Sequence, residues 1–222
     1  MGVALKISSE PSLPPEPPLP RCITVEEYLA FEEKSAVRTE YLNGRIYFQG
    51  VPFDPATKGI NGILWAMSGA MPEHDRVVVN LITTVHPQIK GKSCRVHTQD
   101  QRIELTGTQQ YVYPDMTASC GKPVYNLNMR PPVLENPLVV VEVLSPSTKR
   151  YALKNKAEAY RQHPIIQDIL FIAPDRVYVL HHARQSDLQW ISTEYTETEQ
   201  TFRLNSLGCN VTLAEIYEEV FD

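Results

Sequence analysis

The chain has 222 residues, 42% of them hydrophobic and 21% charged, and a formal net charge of −5. These are ordinary globular values that allow a real core, as one large domain or one domain with appendages. The acidic balance argues against a protein that coats nucleic acid nonspecifically, but not against an enzyme that works on nucleic acid through an acidic metal site.

No apolar run approaches the ~18 residues of a membrane span, and the N-terminus lacks the order of a signal peptide. The four cysteines, Cys22, Cys94, Cys120 and Cys209, form no C-x-x-C pair, which argues against a zinc ribbon. Their scatter predicts free thiols in a reducing cytosol, hence a cytoplasmic location.

Residues 1–20 carry six prolines between Pro11 and Pro20 and predict an extended arm, with a single domain over 21–222. Thr24 followed by Glu27 is a capping-box pattern that opens a first helix with an apolar stripe at Tyr28, Leu29 and Phe31. "RTEYLNGRIYFQG" predicts two strands joined at Asn43-Gly44. The stretch from Val51 to Ala70 reads as loop at first, with Pro52, Pro55, Gly59 and Gly62. "PEHDRVVVNLITTVHPQI" predicts a helix with Pro72 in its first turn and acids at its N-terminal end.

Strands are predicted at "SCRVHT", "QRIEL" and "QYVYPDMTAS", then at "NPLVVVEVLSPST". A helix follows over "STKRYALKNKAEAYRQH", capped by Ser147 or Thr148. Strands at "IQDILFIA", "RVYVLHHA" and "LQWISTEYTE" and a terminal helix at "VTLAEIYEEV" complete the order. This is an α/β (α+β) arrangement with a mixed central sheet flanked by helices. No glycine-rich phosphate loop follows a strand.

Glu142 stands inside the apolar run Leu138–Leu144, which reads as a central strand covered on both faces. A lone carboxylate there costs several kcal/mol or takes up a proton. Asp115 lies 27 positions earlier, after Pro114, at a strand end, edge or bend. On adjacent strands the two acids repel unless a cation sits between them, and Mg²⁺ or Mn²⁺ suits two carboxylates plus water and substrate phosphate. The bland alternatives are a turn aspartate at Asp115 and an internal salt bridge for Glu142, for example with Lys156. Glu40, just after the first helix, either assists such a site or is an ordinary strand-start residue.

The string P-D, then E-V-L-S-P-S-T closing an apolar strand, then a helix with K-x-x-x-Y, resembles the Uma-two family of restriction-endonuclease-like proteins in the PD-(D/E)xK nuclease superfamily. The likeness runs from "TVEEYLAFEE" through "EYLNG", "PEHDRVVVNL", "YVYPDMTAS" and "VVVEVLSPST" to "KNKAEAYRQHPIIQDILFIAPD", most of residues 23–175. It implies a restriction-endonuclease-like core, hydrolysis of DNA phosphodiesters dependent on Mg²⁺ (or Mn²⁺), and a homodimer. It assigns Asp115 and Glu142 as metal ligands, Glu40 as an assisting acid and Lys156 as the lysine that activates or orients water.

Two positions depart from the pattern. Leu144 stands where the superfamily places its lysine, and Ala152 where the family carries an acid four residues before Lys156. The stretch 51–70, longer than the family's usual link, is a candidate flap. His74 reads as a helix cap or a partner of Asp75, Tyr160 as a core aromatic, and His181 and His182 as facing opposite sides of a strand. The readings from other classes are a noncatalytic nucleic-acid-binding or assembly module on the same fold, and a hydrolase of a non-nucleic phosphate ester.

Overall fold

The computed structural model describes residues 20–35, 37–48, 50–56, 71–105, 109–145, 151–187 and 189–221. The proline-rich arm up to Leu19, the expected caps Ser147 and Thr148, and most of the candidate flap lie outside them. Helix α1 (Val25–Glu32) begins with the reciprocal capping box of Thr24 and Glu27. It buries Tyr28, whose hydroxyl donates to Thr39 O at 2.9 Å. Strands β1 (Glu40–Leu42) and β2 (Arg45–Phe48) pair across Asn43 and Gly44, both at positive φ as a tight hairpin requires. The segment expected to be loop contributes β3 (Val51–Phe53), antiparallel to β2. Pro52 misled the sequence reading, but β3 is an edge strand, where a missing donor is tolerated.

Helix α2 (Pro72–Ile89) buries Val77, Leu81, Val85 and Ile89, a run at four-residue spacing. After β4 (Cys94–Thr98) and β5 (Arg102–Leu105), the expected single strand "QYVYPDMTAS" divides into β6 (Gln110–Val112) and β7 (Met116–Cys120). The bend at Pro114-Asp115 sends the two halves into different sheets. Short strands β8 (Tyr125–Asn126) and β9 (Val133–Leu134) precede β10 (Val139–Val143). A π-helical turn (Ala152–Lys156) runs into α3 (Ala157–Gln162), followed by β11 (Asp168–Ile172), β12 (Val179–Ser186) and β13 (Gln189–Tyr195). The chain then makes a hairpin absent from the sequence reading, β14 (Thr201–Leu204) and β15 (Cys209–Thr212), and the short helix α4 (Leu213–Ile216).

The fold is mixed α+β, built on two mixed sheets and the β14–β15 hairpin. One sheet has the order β3-β2-β1-β6-β5-β9-β8, the other β13-β12-β11-β10-β7-β4. In the second, β10 runs parallel to β11 and antiparallel to β7. One face of this sheet packs Val139, Val141 and Val143 against α2, α4 and the hairpin. The opposite face packs Val140 and Leu144 with Tyr160 of α3 and with Leu42, Ile103 and Val112 of the other sheet. A third cluster lies between α1 and the outer face of the first sheet. Among the described residues no helix is long and apolar enough to cross a membrane.

The cysteines correct the free-thiol expectation. Cys94 and Cys120 lie directly opposite each other on β4 and β7 and are joined by a disulfide, whereas Cys22 and Cys209 are free. Their 26-residue separation hid a pairing that strand register creates. Thiol titration of the unfolded chain should therefore give two reactive thiols without reductant and four with it; four in both conditions would exclude the cross-link.

Candidate active site

The C-terminal end of β10 is the centre of the site. Val141 pairs with Met116, so one step further along the two strands Glu142 lies across from Asp115. The Val143 N–H donates to Asp115 Oδ2 at 2.7 Å, fixing the aspartate to the neighbouring strand. Glu142 projects to the same face as Val140 and Leu144 and is only 7% exposed.

What makes its burial tolerable is Lys156, 4% exposed, at the end of the π turn. Its ammonium Nζ lies 2.6 Å from Glu142 Oε1 and 2.8 Å from Glu40 Oε1. Tyr160 follows four residues on, on the same helix face, and its hydroxyl also donates to Glu142 Oε1. Glu40 Oε1 additionally accepts the Tyr113 N–H at 2.9 Å. The Tyr113 hydroxyl donates to Glu32 Oε1 at 3.0 Å, and Glu32 accepts from the Thr39 hydroxyl, so the residue before Glu40 is anchored as well. π turns are rare and recur at functional sites.

The electrostatics follow from this packing. Burial pushes the Glu142 carboxyl up to about 7, with Lys156 partly offsetting it and Asp115 and Glu40 adding to the rise. For Lys156 burial opposes the charge, but Glu142 and Glu40 outweigh it and hold the ammonium above its usual range. His74, in the first turn of α2, places Nε2 3.5 Å from Asp115 Oδ1. Burial disfavours its charge too, yet Asp115, aided by Glu142 and Asp75, raises it above the ordinary 6.5.

Glu40, Asp115, Glu142 and Lys156 are thus brought together from β1, the β6–β7 bend, β10 and the π turn. His74, expected to cap or to pair with Asp75, instead faces Asp115. Tyr160, read as a core aromatic, is fully buried but its hydroxyl reaches the site. The K-x-x-x-Y spacing held that signal, since a buried tyrosine hydroxyl needs a partner. Tyr151, unnoticed in the sequence, stacks on Tyr47 with ring centroids 4.3 Å apart, and Lys156 Nζ lies 5.7 Å from its ring. Burial holds its hydroxyl well above the ordinary tyrosine range, with the Glu40 carboxylate adding to the rise. His181 and His182 do face opposite sides, His181 bound to Asp168 and His182 to Ser192.

The departures from the nuclease pattern also find their places. Leu144 is 3% exposed in the apolar cluster beneath α3. Ala152 packs in the same cluster, and the acid partners of Lys156 come from β1 and β10 instead. Among the described residues no three histidine, cysteine or acidic side chains converge as a complete metal centre. Two carboxylates on adjacent strand ends do suit a hard divalent ion that completes its shell with water and phosphate oxygens.

A mixed-sheet α+β fold whose central strand ends in paired carboxylates with a lysine beside them has the architecture of a nuclease-like protein. Residues 48–214 match the Uma2 family, described as "Putative restriction endonuclease", and the chain belongs to that family. Asp115, Glu142, Lys156 and His74 lie inside the matched region and Glu40 lies before it. The chain is similar to two uncharacterized proteins of Synechocystis. One is 28% identical over 203 residues, covering 91% of this chain and 95% of that protein. The other is 27% identical over 174 residues, covering 78% and 88%. It also shares its fold, at a TM-score of 0.66 and 15% identity, with the crystal structure of a "putative nuclease belonging to DUF820" from Anabaena variabilis, over 90% of this chain and 99% of that one.

Two outcomes test the geometry. Lys156→Met leaves buried Glu142 and half-buried Glu40 without their cation and should cost on the order of 3–5 kcal/mol in urea unfolding; a loss below ~1 kcal/mol would mean that Lys156 and Glu142 are not buried together. Protonated His74 stabilises the fold fully below 6.5, and the contribution fades as pH rises through its raised value. His74→Asn should therefore lose more stability at ~pH 5.5 than at ~pH 9, and equal losses would exclude the charged contact.

Proposed function

We propose that the protein is a Mg²⁺-dependent endodeoxyribonuclease that hydrolyses DNA phosphodiester bonds, acting as a homodimer, with residues 21–222 as one catalytic domain and 1–20 as an appended arm. The observation that carries this reading is the placement of Asp115 and Glu142 on adjacent strand ends with the Lys156 ammonium 2.6 Å from Glu142. Membership of a family described as restriction endonucleases supports it.

In this reading Asp115 and Glu142 hold Mg²⁺ or Mn²⁺. The bound ion supplies a water of lowered pKa and neutralises charge on the phosphodiester. Lys156 orients the attacking water through Nζ and stabilises charge developing on the phosphoryl oxygens. The water oxygen attacks phosphorus in line with the departing oxygen. Glu40, held by the Tyr113 N–H, fixes the position of Lys156, and Tyr160 fixes that of Glu142. The apolar shell of Leu144, Tyr151 and Ala152 limits access of bulk water from beneath.

A noncatalytic nucleic-acid-binding module is the second reading. It is favoured by apolar Leu144 and Ala152 at positions where the nuclease pattern carries charge. Plasmid cleavage with Mg²⁺ or Mn²⁺ separates the two. The wild-type chain should nick or linearise plasmid, and Asp115→Ala and Glu142→Ala should each lower the rate by more than ~100-fold, as expected when several kcal/mol of transition-state stabilisation is lost. Equal cleavage by all three proteins refutes the assigned site, and DNA binding without cleavage by the wild type favours the binding module.

A further inference from the structure

We propose that Lys156 is the resident counter-ion of the carboxylate cluster, and that a divalent ion enters only as the ammonium gives up its hold on Glu142. The proposal rests on the reading of Asp115 and Glu142 as the ion's ligands.

Three observations lead to it. First, one oxygen of each acid is already engaged. Glu142 Oε1 accepts from Lys156 Nζ at 2.6 Å and from the Tyr160 hydroxyl. Glu40 Oε1 accepts from the same Nζ at 2.8 Å and from the Tyr113 N–H at 2.9 Å. Asp115 Oδ2 accepts from the Val143 N–H at 2.7 Å.

Second, Mg²⁺ sits about 2.0–2.1 Å from its ligand oxygens. An ion on Glu142 Oε1 would stand within roughly 5 Å of the ammonium, a like-charge contact that a buried site screens poorly. Glu142 is 7% exposed and Lys156 4%. Ion and ammonium therefore oppose each other on one carboxylate.

Third, an aromatic face lies near the ammonium. The Tyr151 ring lies 5.7 Å from Nζ, near enough for a cation–π contact, and is held in place by its stack on Tyr47. In this proposal the ammonium moves toward that ring as it gives up Glu142 Oε1.

Lysine thus has two successive tasks. In the resting protein it balances buried acids; with the ion in place it is freed from Glu142 and stands beside the reacting phosphate. The cost of releasing it weakens ion binding by the resting chain.

Calorimetric titration with Mn²⁺ tests this on the full chain, comparing wild type with Lys156→Gln and Lys156→Met, each checked for native near-UV circular dichroism. Removing one like charge from a poorly screened site should tighten Mn²⁺ binding at least ~10-fold, and Asp115→Asn should abolish it. Unchanged or weaker binding by the lysine variants, with Asp115→Asn still deficient, overturns the competition and leaves the ligand assignment standing. Binding that survives Asp115→Asn, or no binding by any of the proteins, overturns the ligand assignment and this proposal with it. If neither lysine variant folds, the wild-type chain labelled with ¹³Cε-lysine gives the reading. The Lys156 signal, identified by its loss in Lys156→Arg, should shift when Mg²⁺ is added, and a signal that stays in place overturns the proposal.

Discussion

One ammonium group holds this site together. Lys156 reaches Glu40 on β1 and Glu142 on β10, and those strands belong to different sheets. A buried carboxylate without a cation is expensive, and so is a buried cation without carboxylates. Around this three-point contact each neighbour has a defined task. Tyr160 and the Tyr113 N–H occupy further lone pairs of the two glutamates. Val140 and Leu144 cover the surrounding surface with apolar atoms. The π turn delivers the lysine at the height of the strand end.

Two positions of the nuclease pattern are apolar here. A lysine at position 144 would place a second ammonium in the apolar cluster that Leu144 now fills. Lys156 approaches the same glutamate from the helix instead. An acid at position 152 would likewise enter packed apolar surroundings. Both positions are apolar here, and Lys156 meets Glu142 and Glu40 from the helix.

Much of this was legible in the sequence because the signals are local. The Thr24/Glu27 box, the Asn43-Gly44 hairpin and the four-residue spacing of α2 each depend on neighbours within a turn or two. The burial of Glu142 was legible from the apolar run around it. Features set by long-range register were not. Cys94 meets Cys120, β6 parts from β7, and Thr201–Leu204 pairs with Cys209–Thr212 only once the sheets exist. Side-chain direction was the other gap. Tyr160 and His74 were visible as residues, but nothing local told the hydroxyl to point at Glu142 or the imidazole at Asp115. The strand of three residues at Val51 was hidden by a proline that an edge position accommodates.

The bend between β6 and β7 has a consequence of its own. Tyr113 fastens Glu40 through its backbone N–H, and Asp115, two residues later, fastens to Val143. The first contact belongs to one sheet and the second to the other. This short link therefore acts as a gauge block, setting the distance between two carboxylate anchors by its covalent length. Side chains on either sheet can change while that spacing persists, but a residue added or removed between Tyr113 and Asp115 would put both anchors out of step at once. The separation of the acids is written into chain length as well as into side-chain chemistry.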